Sequence, residues 1–151
     1  MNNLVIGIGN DFRRDDGVGL AVVQAIGRLD LPGVETMTAI GVPGVILDAW
    51  AGRPAVVVDA AAGSGMVPGR IRRWTPEGAT TSVGTSSHSF GLAQTYALGR
   101  ALGLLPASLV VFTVDIADAG MGPGLSAQVS AAIPDAVEAV LAEIAVTYDP
   151  S

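Results

Sequence analysis

The segment "PAVVVDAA" (54–61) constrains the fold more than any other stretch of the sequence. Ala55 and three consecutive valines leave no polar face before Asp59, so a strand here must be covered on both sides. Such strands belong to the middle of a parallel sheet with helices packed above and below it. The run closes on Asp59, and a carboxylate at the end of an all-apolar strand is costly to bury without a partner.

The rest of the chain supplies the layers. "LVIGIG" (4–9), "VETMTAI" (34–40) and "SLVVFTVD" (108–115) read as further strands, and "GRIRRWT" (69–75) alternates as a more exposed one would. Between them, "GVGLAVVQAIGRL" (17–29) sets Val18, Val22, Ala25, Ile26 and Leu29 at helical spacing. "GVILDAW" (44–50) reads as a short helix, and "SFGLAQTYALGRALG" (89–103) brings Leu92, Tyr96, Leu98 and Leu102 broadly to one face. From Ser126 the pattern is helical to residue 146, with Pro134 forcing a kink or a split into two helices. This alternation predicts a three-layer α/β domain. A chain of 151 residues with no internal repeat and no linker is expected to be a single domain over 1–151.

Composition removes several function classes. Hydrophobic residues make up 50% and charged residues 15%, which excludes a disordered chain. A net charge of −6 argues against a nucleic-acid partner, which calls for a basic face. No apolar run reaches membrane-spanning length, and "MNNLVIGIGN" lacks the basic segment of a signal peptide, so no membrane partner and a cytoplasmic location are expected. With no cysteine there is no disulfide, thiolate metal site or thiol nucleophile.

The glycine turn "GIGNDFRRDDGVG" (7–19) sits where a dinucleotide fold carries G-x-G-x-x-G, but Phe12 occupies the third glycine position. "MTAI" offers no acid for a ribose, and Asp15 and Asp16 suit a helix start while repelling a phosphate. In open α/β sheets, ligand-binding groups gather at the carboxyl ends of the strands. Asp16 follows strand one, Asp59 ends strand three, and His88, the single histidine, precedes the helix at 89–103. Each alone has an ordinary reading, as a helix cap, a strand end or a satisfied imidazole. Together they can converge at one sheet edge, and two carboxylates with an imidazole suit a borderline divalent metal such as nickel, zinc or iron. There is no H-E-x-x-H, one histidine is too few for a resident zinc peptidase site, and no G-x-S-x-G elbow occurs. Ser86, Ser87 and Ser89 flank His88, but immediate neighbours rarely point at each other, which disfavours a Ser–His nucleophile pair.

"GIGNDFRRDDGVG", "VVVDAA" followed by "PGRIRRW", "SSHSFGLAQTYALGRALG" and "GPGLSAQV" occur in this order from about residue 4 to about residue 145. Jointly they resemble the hydrogenase maturation proteases, which trim the C-terminal extension from the large subunit of [NiFe] hydrogenases. The resemblance implies a single three-layer αβα domain, phosphorylase/hydrolase-like, with a twisted, mostly parallel sheet. It also implies an endopeptidase whose partner is a [NiFe] hydrogenase large-subunit precursor. Its catalytic and metal-contacting residues map by motif onto Asp16, Asp59 and His88. Nickel would arrive with the substrate and be contacted weakly or transiently, the precursor's cysteines supplying its other ligands.

The resemblance departs at "AIGVPG" (39–44). Ala39 stands where the family usually has an acid, and Val42 where it has a threonine, while Gly41 and Gly44 are kept. Ala39 favours a second reading, a non-catalytic metal- or partner-binding module of the same fold. Asp115 is read as a strand-end cap outside the site.

Overall fold

The structure is a computed structural model that describes residues 2–10, 12–39, 43–76, 87–117, 120 and 122–147, with only the backbone at 43, 87–91, 146 and 147. In chain order come β1 (Asn3–Ile8), a 3-10 turn (Arg14–Gly17), α1 (Val18–Arg28), β2 (Val34–Ala39), α2 (Pro43–Trp50) and β3 (Pro54–Ala61). Then follow β4 (Ile71–Trp74), α3 (Ser87–Leu102), β5 (Ser108–Asp115) and α4 (Ala127–Thr147). The sheet order is β2-β1-β3-β5-β4, parallel except for β4, which runs antiparallel to β5. The expected three-layer α/β architecture is therefore present, with β3 at its centre.

Strand alternation divides the core. Val56, Val58 and Ala60 of β3 face α1 and α4, together with Val18, Val22, Ile26, Val129, Ala136 and Val140. Ala55 and Val57 face α2 and α3, with Ile46, Leu47, Trp50 and Leu92. Trp50 is fully buried, and its indole N–H donates to the Leu104 carbonyl at 2.9 Å, tying α2 to the α3–β5 connection. At the outer edge, Arg73 of β4 donates from Nε to Glu143 of α4 at 2.7 Å. That hydrogen bond and the adjacent negative charge raise the Arg73 pKa above its already high ordinary value.

Three expectations are narrowed or changed in detail. Of the two alternatives expected at Pro134, the split does not occur: α4 runs through it as one element. Proline removes its own N–H bond and crowds the carbonyl four residues back, but that carbonyl belongs to exposed Ser130, where water can serve it. Helix α3 buries Leu92, Thr95 and Gly99 and leaves Leu98 and Leu102 exposed, because Leu98 lies off the 92/95/96/99 stripe. Helix α3 also begins at Ser87, two residues earlier than the periodicity indicates, so His88 lies within its first turn. Residues Ile40, Gly41 and Val42 of the departing segment, and Ser86, lie outside the described residues.

Candidate functional site

Strand order fixes where a ligand can enter. The chain leaves β1 through α1 on one face to reach β2, then crosses back through α2 on the other face to reach β3. The two connections diverge between β1 and β3, opening a crevice at their carboxyl ends, the place where open α/β sheets bind ligands. The β1–β3 ladder stops at Gly7–Val58, one residue before Asp59.

Asp59 is fully buried on β3, opposite Thr113 of β5, and its Oδ1 accepts from the Ala60 N–H at 2.8 Å. Alternation from Val57 turns its side chain to the α2/α3 face. Asp16 sits in the 3-10 turn beyond β1, 2% exposed, and its Oδ2 accepts from the Asn10 N–H at 3.0 Å. Close packing holds this turn against the strand ends. A Cβ on Gly9 would strike the Asp16 carbonyl, and one on Gly19 would lie 2.5 Å from the Val58 carbonyl oxygen and 2.6 Å from that of Ile8. Glycine at both positions is what lets the acid-bearing turn reach β1 and β3.

Asp15, next in sequence to Asp16, does something different. Its Oδ1 accepts from the Ser126 N–H at 2.6 Å, and its Oδ2 accepts from the Ser126 hydroxyl at 2.9 Å and the Ala117 N–H at 3.1 Å. It fastens the β1 side of the crevice to the segment between β5 and α4. Neither acid acts as a helix N-cap: the 3-10 turn is preceded by Arg13 and α1 by Gly17, both without side-chain capping bonds.

His88 comes to the same edge by topology. Helix α3 feeds β5 through the short segment 103–107, whose Leu104 and Leu105 carbonyls accept from Trp50 and Gly52 near the amino end of β3. Helix α3 thus runs opposite to the parallel strands, and its first turn lies toward their carboxyl ends, on the face to which Asp59 points. The His88 side chain lies outside the described residues. Among the described residues, no three His, Cys, Asp or Glu side chains are grouped to hold a metal ion.

Two arginines that the sequence reading did not single out stand beside this line. Asp115 is fully buried, and its Oδ2 accepts from the Val67 N–H (3.0 Å), Arg70 Nε (3.0 Å) and Arg72 Nη2 (3.3 Å). Arg72 pairs with Thr113, and Thr113 with Asp59, so Arg72 stands two strands from Asp59 on one sheet face, about 10 Å away by strand spacing. Asp115 is therefore a strand-end clamp on the β4 approach, as its place in the sequence indicates. The signal for its partners was the alternation in "RIRRW", which puts Arg70 and Arg72 on one side.

A family model described as hydrogenase maturation protease matches residues 53–143. Among solved structures, the chain is similar to the hydrogenase maturating endopeptidase HybD from E. coli, with 26% identity, a TM-score of 0.82, and 97% of this chain and 94% of that one covered. It is equally similar to an endopeptidase from Escherichia coli solved in solution, at 27% identity and a TM-score of 0.82 over the same shares of each chain. The [NiFe] hydrogenase maturation protease HybD from Thermococcus kodakarensis shares the fold at 23% identity and a TM-score of 0.80, covering 93% of this chain and 97% of that one. No curated protein sequence matches the chain significantly.

Proposed function

The chain belongs to the hydrogenase maturation protease family, and from that premise we propose that it removes the C-terminal extension of a [NiFe] hydrogenase large-subunit precursor after nickel insertion. As a family member it is a maturation endopeptidase; the substrate end, the nickel requirement and the residue roles are the proposal. In it, Asp16, Asp59 and His88 contact the nickel that the precursor carries. The reading is supported above all by two buried carboxylates, Asp16 and Asp59, at the carboxyl ends of neighbouring strands where the sheet's connections diverge.

Two oxygen donors and one imidazole suit a borderline divalent ion whose remaining ligands belong to another molecule. Asp16 and Asp59 supply fixed negative charge in a site of low dielectric, where it acts on an arriving cation more strongly than in water. Nickel in that place supplies Lewis acidity toward a carbonyl or a bound water. The backbone hydrogen bonds to Asp16 and Asp59 hold both carboxylates in one orientation before the substrate arrives. A scissile bond presented beside the metal then meets a preformed site, which lowers the entropic cost of positioning.

The second reading, a binding module without catalysis, is favoured by Ala39. The position that carries an acid in the resemblance holds a buried methyl packed with Ile8 and Ile46. Incubating purified protein with nickel-loaded precursor and weighing the products separates the two. Processing yields a shortened large subunit and a released C-terminal peptide. Stable association with an unshortened precursor would establish the binding module and overturn the endopeptidase.

A further inference from the structure

The two arginines on Asp115 are held in a way that leaves donors unspent. A bidentate pair would match two N–H groups of one guanidinium to both carboxylate oxygens. Here Arg70 and Arg72 each bring a nitrogen to the same oxygen, Oδ2, at 3.0 Å and 3.3 Å. Asp115 Oδ1 accepts from none of the described residues. Arg70 spends a second nitrogen on the Gly65 carbonyl at 3.2 Å. Arg72 makes no further side-chain hydrogen bond with the described residues, and its side chain is 46% exposed.

The backbone fixes where these donors stand. The Gly69 N–H donates to the Asp115 carbonyl and the Asp115 N–H to the Arg70 carbonyl, both at 2.8 Å. Arg72 pairs with Thr113, and Trp74, two residues on, packs with α2 and α3. Alternation therefore puts Arg72 on the face to which Asp59 points and turns Arg73 to the other, where it meets Glu143. Asp115 pairs with Ala61, the last residue of β3, so the Arg72 guanidinium that it holds lies at the carboxyl rim of the sheet. Two strand spacings separate Asp59 from Arg72, about 10 Å, or about three residues of extended chain. Asp118 and Glu77, near the ends of β5 and β4 in sequence, lie outside the described residues. What distinguishes Arg72 is thus the direction of its donors rather than a balance of charge.

Resting on the maturation-protease reading, we propose that Arg72 is a substrate-binding residue and Asp115 its positioning residue. The precursor's chain, with its scissile bond at the crevice, crosses the ends of β3 and β5 in extended form. A main-chain carbonyl about three residues from that bond accepts from the Arg72 guanidinium. Every polypeptide carries such an acceptor, so the contact requires no particular substrate sequence. Asp115 keeps the guanidinium ordered before the chain arrives, which reduces the entropy lost on binding. The contact fixes the chain's register on the rim and leaves the bond-breaking step to the crevice.

The test compares wild type, Arg72→Ala, Arg72→Lys and Arg73→Ala in binding and cleavage of nickel-loaded precursor. Arg73→Ala removes the same charge one residue away, on the opposite face, and serves as the control. For Arg72→Ala the expected result is a Kd and KM raised about tenfold or more, the scale of one hydrogen bond from a charged donor, with kcat within about twofold. Melting changes little, because Arg70 and the Val67 N–H still hold Asp115. Arg73→Ala keeps the wild-type Kd and KM. Arg72→Lys recovers only part of the loss, since an ammonium keeps the charge but not the planar fork. Asp115→Asn, measured where it stays folded, raises KM as Arg72→Ala does, and combining the two adds little further. An unchanged KM in Arg72→Ala, an equal loss in Arg73→Ala, or full recovery by Arg72→Lys overturns the assignment. If wild type binds in an Arg72-dependent way without cleaving, the contact stands and the peptidase reading falls. If it cleaves with a KM indifferent to Arg72, the reading stands and the contact falls. No binding by wild type overturns both.

Discussion

Asp15 and Asp16 are adjacent, identical in chemistry and both buried, yet their surroundings give them different work. Asp15 has each oxygen committed to groups on the segment 117–126, about a hundred residues along the chain. Local sequence pattern carries no trace of such a contact, and for that reason "DD" reads as a pair of helix caps. Asp15→Ala leaves the partly buried Ser126 donors and the Ala117 N–H without their acceptor. Loss of charge-assisted bonds of this kind should lower unfolding free energy by about 3 kcal/mol, read by urea denaturation. Asp16→Asn and Asp59→Asn keep shape and one carbonyl acceptor, so melting should change little. Their precursor cleavage should fall by about a hundredfold or more, at least the loss seen for groups that merely orient metal ligands. Full activity in either asparagine variant would remove that carboxylate from the mechanism. For His88 the sequence alone supplies the assignment, through its motif; the structure adds the edge of the sheet on which its backbone lies.

Among the elements, the strands were legible because burial on both faces leaves an unmistakable run, as in "PAVVVDAA" and "SLVVFTVD". Helix α3 was less so. Its moderate amphipathicity let Leu98 and Leu102 pass for core, while Thr95 and Gly99, which make the real contact stripe, look neutral in a sequence. Gly99 is small because a Cβ there would lie 2.9 Å from Leu47 of α2. Gly19 bears on the proposed site, since it seats α1 on the strand ends and so helps set the position of Asp16. Gly19→Ala should destabilise by about 1–3 kcal/mol through overpacking and should reduce cleavage even at temperatures where the variant stays folded. Pro134 is the reverse case, an interior helix residue that the fold tolerates. Pro134→Ala should raise stability by about 1–2 kcal/mol, the roughly 3 kcal/mol helix penalty offset by greater freedom of the unfolded chain. A lower denaturation midpoint would mean that the proline shapes α4 in a way the neighbouring layers require.

At the scale of the molecule, the sheet order decides the chemistry. Placing β1 and β3 side by side, with connections leaving on opposite faces, opens a crevice at their carboxyl ends, and the buried acids Asp16 and Asp59, proposed above as nickel contacts, follow the two strands that flank it. No helix among the described residues is long and apolar enough to cross a membrane. With at most three side-chain ligands and no thiolate, the isolated protein should retain nickel or zinc only weakly. Stoichiometric, chelator-resistant metal after purification would point to a resident-metal hydrolase instead. The most direct measurement mixes the purified protein with the same large-subunit precursor in nickel-loaded and nickel-free form and weighs the products. Shortening of the loaded precursor alone is the expected result. Equal shortening of both forms would contradict recognition of substrate-borne nickel by Asp16, Asp59 and His88.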